Sequence, residues 1–210
     1  MFTDMTNAML ELAAGLIMGL SVRQLWKTRE LSGVHPEAMS FFLAFGFWNL
    51  FFYPQAEQVL SFWASVGAVS VNAVWVGLQL GLLWKQEKLD QATKVVGFLT
   101  GFGWLLGGLA IAWDYGWLSV DSVNAVFQFG TAWYIGLSAR ALWRSRKLSG
   151  ISPAQLLFFS GWGYWNLYFF WSLDLPISLM GAAVAALSYS AWLAAYLRAN
   201  GWRVPGGRLA

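Results

Sequence analysis

The chain has 210 residues, of which 58% are hydrophobic and 11% charged, with a net charge of +3 and a mean hydropathy of +0.52. Soluble domains carry roughly 45 to 50% apolar and about 25% charged residues, so a soluble domain with a polar shell is excluded and a membrane protein is expected. Cysteine is absent, which removes disulfides, thiolate metal sites and cysteine nucleophiles.

In chain order, the opening MFTDMTNAML carries Asp4 and no basic residue, unlike the positive start of a cleaved signal peptide, so a mature N-terminus is expected. A first helix is placed near residues 5–26, interrupted by Glu11 and Arg23. Stretches free of Asp, Glu, Lys and Arg follow at 38–56, 58–84, 95–113, 122–139, 148–173 and 175–197. Each approaches or exceeds the roughly 20 residues that span a bilayer. Gly33 and Gly150 are placed to take the left-handed conformation that ends a helix. Pro36 and Pro153 then open the next helix, where a missing N–H is tolerated. Ser152 and Gln155 have capping-box spacing.

The chain repeats itself. At an offset of 117 without gaps, residues 19–52 align with 136–169 with 18 identities in 34 pairs. The register extends outward through Asn7/Asn124, Ala8/Ala125, Ser61/Ser178, Trp75/Trp192 and Leu80/Leu197. Because residues 5–26 then share the structure of 122–143, the interrupted first helix counts as a crossing. The expected fold is an all-α integral membrane protein of seven transmembrane helices: two parallel three-helix repeats, residues 1–90 and 118–200, joined by a linker helix within 91–117 and followed by a cytoplasmic tail, 201–210. With the first loop cytoplasmic, all 13 Lys and Arg fall on that side, and Asp4, Glu11, Glu57, Asp114, Asp121 and Asp174 on the other. This positive-inside bias predicts an outside N-terminus and a cytoplasmic C-terminus. Arg23 and Arg140, about one turn inside the basic ends, are expected to snorkel and serve structure.

The order of basic loop, glycine, aromatic-Asn helix and third helix with a central Asn resembles the PQ-loop superfamily, and the three-one-three layout is most like SWEET sugar transporters. Arg29-Glu30-Leu31-Ser32-Gly33-Val34-His35 and Arg146-Lys147-Leu148-Ser149-Gly150-Ile151-Ser152 are similar to that family's loop into its second helix. The positions of its Pro-Gln pair hold Leu20-Ser21 and Leu137-Ser138. The resemblance implies a solute site at mid-membrane between the two bundles, lined by an Asn on each third helix and by aromatic or small polar residues on each second helix. Asn72 matches that Asn, and its mate is Tyr189.

Asn72 lies near the middle of an uncharged run, where an amide facing lipid would lack partners, so it faces protein or a cavity. Trp48 and Asn49 sit on one face of the second helix with Phe41, Phe45 and Phe52, and Trp165 and Asn166 repeat them on the sixth. An amide within a ring-lined face suits a solute that both stacks and hydrogen-bonds. Trp75 and Trp192, three residues beyond Asn72 and Tyr189, are expected to wall the same cavity. His35 is expected to cap a helix or face solvent. Glu11, about two turns or less from the outer end of its helix and paired in the repeat with Gln128, is expected to hydrogen-bond near the outer surface.

The expected function is facilitative, uniport transport of a small neutral solute, sugar-like by the resemblance, through alternating access. No catalytic set, metal site or cofactor is expected: there is one His, no Cys, no mid-membrane carboxylate pair and no Lys in the seventh helix. Partners are the solute and the bilayer, not nucleic acid, and a homo-oligomer stays open. Two alternatives also stay open: a non-transporting receptor of the same superfamily, or an aromatic-rich accessory subunit of a larger membrane complex.

Overall fold

We describe residues 2–35 and 37–201 of a computed structural model of the chain. Pro36, expected to open the second helix, and the tail residues 202–210 lie outside the described residues. Those described form seven helices and no strand: α1 (Phe2–Thr28), α2 (Ala38–Gln55), α3 (Val59–Lys85), α4 (Leu89–Asp114), α5 (Val120–Ser145), α6 (Pro153–Ser172) and α7 (Pro176–Ala199).

Four helices, α1, α3, α4 and α7, are long and apolar enough to cross a membrane. That α1 is among them, despite Glu11, and that α2, α5 and α6 are not, differs from a reading by charge-free runs. Tyr and Asn in α2 and α6 lower mean hydropathy without adding charge, as do Asn124, Gln128 and Thr131 in α5.

In α1 and α5 a row of polar side chains lies on the inward face. The buried stripe of α1 is Asp4, Asn7, Glu11, Ala14, Met18, Ser21 and Leu25, at spacings of three and four that keep one helix face. Along α5 the corresponding stripe is Asp121, Asn124, Gln128, Thr131, Ile135, Ser138 and Leu142. Leu12, Leu16 and Leu20 face outward from α1. Where lipid surrounds a bundle, burial favours hydrogen-bonding groups rather than apolar ones, because lipid cannot serve as a partner.

The main packing pairs are α1 with α3 and α5 with α7, with α2 laid on α3 and α6 on α7. The two sets meet where α1 touches α6 and α2 touches α5. α4 packs on α2, α3 and lightly on α5, burying only Ala92 and Val95.

The start of α3 is capped by α1. Asp4 accepts from the backbone N–H of Leu60 and Ser61 at 3.1 and 2.9 Å. At α7, Asp121 accepts from Ile177 and Ser178 at 3.0 and 2.8 Å. A carboxylate at a helix N-terminus both satisfies otherwise unpaired N–H groups and meets the positive end of the helix dipole. Asn7 and Asn124 extend the clasp to the hydroxyls of Ser61 and Ser178, each at 3.1 Å.

At the opposite end, which carries Lys27, Lys85, Arg144 and Arg198, the loops following α1 and α5 interlock. Ser32 and Ser149 exchange both backbone hydrogen bonds, at 3.2 and 3.0 Å. Gly33 and Gly150 are left-handed as expected (φ 73° and 82°), but they do not end the helices; Arg29 and Arg146, also left-handed, follow the last helical residues. The glycines serve the interlock instead. A Cβ on Gly33 would lie 2.6 Å from the Lys147 carbonyl, and one on Gly150 2.7 Å from that of Glu30. Ser152 caps α6, its Oγ accepting from the Ala154 N–H at 3.3 Å, but the reciprocal half of the box is not formed: Ser21 Oγ takes the Ser152 N–H at 2.8 Å and donates to the Gln155 side chain.

Candidate functional site

A cavity of about 110 Å³ lies between the two sets of helices, walled by α1, α2, α3, α5, α6 and α7. Towards the ends of α2 and α6 that join α3 and α7, it is lined by Phe52, Tyr53, Phe169 and Phe170. Tyr53 meets Phe169 edge-on at 6.4 Å, as Phe52 does Phe170. Towards the basic end it is lined by Val34 and Trp192, next to the loop interlock.

Of the eight residues expected at a site, five line this cavity: Asn49, Asn72, Asn166, Tyr189 and Trp192. Asn72 is buried; its amide nitrogen makes a long contact of 3.5 Å to the Met39 carbonyl, and its Oδ1 has no hydrogen-bond partner. Asn49 and Asn166 are half-buried, and neither side chain bonds to protein. The Tyr189 ring stacks 6.2 Å from Phe159, also on the wall.

The other three tryptophans are clasps between the helix sets and do not line the cavity. Trp48 Nε1 donates to Asn124 at 3.2 Å while its ring stacks on Phe127, 5.4 Å away and nearly parallel. Trp165 Nε1 donates to Asn7 at 3.3 Å. Trp75 Nε1 donates to the Gly150 carbonyl at 3.1 Å, and Trp192 makes the matching bond to Gly33 at 3.3 Å. An indole ring brings a large apolar face with a single donor, and that donor seeks a fixed acceptor when buried. Here the acceptor lies across the interface, so the side chain joins the helix sets.

Sequence reasoning missed several polar wall residues: Glu11, Tyr53, Ser65, Gln128, Thr131, Gln155 and Trp162. Glu11 was expected close to a surface, but α1 starts at Phe2, which sets Glu11 nine residues, about 14 Å, into the helix. It is 3% exposed, and Tyr53 donates to its Oε1 at 2.5 Å. Thr131 Oγ1 and Trp162 Nε1 are buried without a partner. The missing signal was the spacing: Asp4, Asn7 and Glu11, and Asp121, Asn124, Gln128 and Thr131, keep one helix face in otherwise apolar runs. His35 lies off the cavity wall, paired with Glu37 at 2.6 Å, and its backbone N–H donates to Ser138 Oγ.

No protein-family model, no curated protein and no solved structure matches this chain.

Proposed function

We propose that the protein is a membrane transporter that moves a small polar solute down its gradient by alternating access. In this reading seven membrane-crossing helices form two parallel three-helix repeats, residues 1–90 and 118–200, with α4 as the linker that restores direction. The N-terminus is outside and the basic end cytoplasmic, following the one-sided placement of Lys and Arg. A SWEET-like fold of this kind has its solute site between the bundles, where the cavity lies.

One observation carries the reading. Buried polar groups in proteins are normally paired, yet this cavity holds the unpartnered Oδ1 of Asn72, Oγ1 of Thr131 and Nε1 of Trp162, with the free amides of Asn49 and Asn166 beside them. Acceptors and donors converging on one space ask for a hydrogen-bonding occupant. A site between two helix sets, lined towards each end by different residues, is what alternating access requires. An apolar cavity of roughly 150 Å³ takes a benzene-sized guest, so 110 Å³ holds a solute of a few non-hydrogen atoms. A sugar-like solute requires the bundles to part further.

Uptake by purified protein in sealed vesicles tests this, with guanidinium, urea, acetate and glucose as probes. At least one enters saturably and faster than in protein-free vesicles, and Asn49→Ala/Asn166→Ala slows it. If none of the four does so with folded protein, the reading fails.

A further inference from the structure

Among the described residues the cavity wall carries one carboxyl group and no basic side chain. Glu11 sits on its wall, buried at 3% exposure, and no Lys, Arg or His is among the lining residues. The other groups near it are uncharged: the Tyr53 hydroxyl from α2, Ser65 from α3 and Gln128 from α5. Asp4, the other buried acid of α1, is fully occupied in capping α3. A buried carboxylate without a nearby cation is expensive, and a charge inside a membrane protein is retained where a partner neutralises it. The described residues supply no such partner, so the neutralising charge is either a proton or a cation that enters with the occupant.

We propose that the occupant is a small organic cation bearing N–H donors, a protonated amine or amidine, held by Glu11 as counter-ion with the Asn49, Asn72 and Asn166 carbonyls accepting its remaining N–H groups. The inference rests on the cavity being a solute site, and replaces the neutral solute expected from the sequence by a cationic one. Three features favour this class. The free side-chain atom of Asn72 is the acceptor oxygen, which suits a donor-rich guest. The walls are ring-rich, with Phe42, Phe45, Phe159 and Trp162 presenting π-faces or edges to the same space, and aromatic faces attract cations within about 6 Å. The volume admits a guest of about the size of guanidinium.

Calorimetric titration of the full-length protein in lipid nanodiscs, at neutral pH, separates the outcomes with three planar probes of similar size: guanidinium, urea and acetate. A guest of about four non-hydrogen atoms binds no tighter than tens of micromolar, so the probes are titrated from that range up to millimolar. Guanidinium is expected to bind at least tenfold more tightly than urea, with acetate undetected. Glu11→Gln should remove that preference and Glu11→Asp retain it. Urea binding as tightly as guanidinium, or the preference surviving Glu11→Gln, overturns the cation. Urea binding coupled to net proton uptake, seen as an enthalpy that changes with buffer, overturns it in favour of a proton on Glu11. If neutral probes enter vesicles and guanidinium does not bind, the transport reading stands and only the cation fails. If no probe binds to or crosses folded wild type, both fail. The wild-type preference alone decides the matter if Glu11→Gln does not fold.

Discussion

The two ends of the bundle and its middle follow different rules. At the ends, residues 117 apart in sequence make the same bonds at nearly the same lengths: Asp4 to Ser61 at 2.9 Å and Asp121 to Ser178 at 2.8 Å, Trp75 to Gly150 at 3.1 Å and Trp192 to Gly33 at 3.3 Å. Around the cavity several mates diverge: Glu11 with Gln128, Tyr53 with Phe170, Ser65 with Ala182, Asn72 with Tyr189, and Thr131 with Ala14. Symmetry is kept where helices are clasped and broken over part of the cavity wall, where Asn49 and Asn166 remain a matched pair. A guest without two-fold symmetry needs different groups on its two sides, whereas a helix cap needs the same group at both sites.

Breaking the clasps should therefore hurt both copies alike. Asp4→Ala and Asp121→Ala each strand two backbone N–H groups, and each should cost about 3 kcal/mol of stability. Thermal unfolding in detergent should show the two variants shifted by similar amounts; a shift confined to one would break the equivalence of the caps. The loop interlock comes next. Gly33→Ala and Gly150→Ala place a Cβ against a carbonyl in left-handed backbone, costing about 1–3 kcal/mol each. Gly108→Ala in α4, with nothing within 4 Å of the added carbon, should be neutral or gain up to about 1 kcal/mol of helix propensity, read in the same scans.

The middle should behave the other way round. Asn72→Ala is expected to weaken occupant binding by roughly 1–3 kcal/mol, the cost of stranding a buried polar partner, with stability little changed. Trp48→Phe and Trp165→Phe, by contrast, remove one indole hydrogen bond each and should cost about 1 kcal/mol of stability while leaving guanidinium affinity within twofold. Titration and unfolding of the same preparations check both halves of the contrast. A large affinity loss in Trp48→Phe would put that ring in the site after all.

The helix count was legible because charge-free runs and the 117-residue register give it without any packing information. Asn72, Asn49 and Asn166 were legible because an amide deep in an apolar run has to face inward. Trp48, Trp75 and Trp165 were harder to place, since an aromatic stripe marks a helix face but does not say whether that face meets a neighbour or a void. Glu11 was misplaced for a simpler reason. Its depth depends on where α1 begins, and three extra residues at the start of the helix move it from near a surface to the cavity wall. The use of Gln155 was hidden as well, because Ser21, from a helix 134 residues away in sequence, takes the place of the local capping box.

The central claim, that the helix sets part and close around the cavity, can be tested at the Ser32–Ser149 bridge. In a hydrogen-bonded antiparallel pair the two Cα atoms are about 5.5 Å apart, within reach of a disulfide, and the chain has no cysteine of its own to interfere. In the Ser32→Cys/Ser149→Cys protein, oxidation should stop saturable uptake of whichever probe the wild type carries, and reduction should restore it. Full-rate uptake with the cross-link present, verified by mass, would contradict alternating access at this interface.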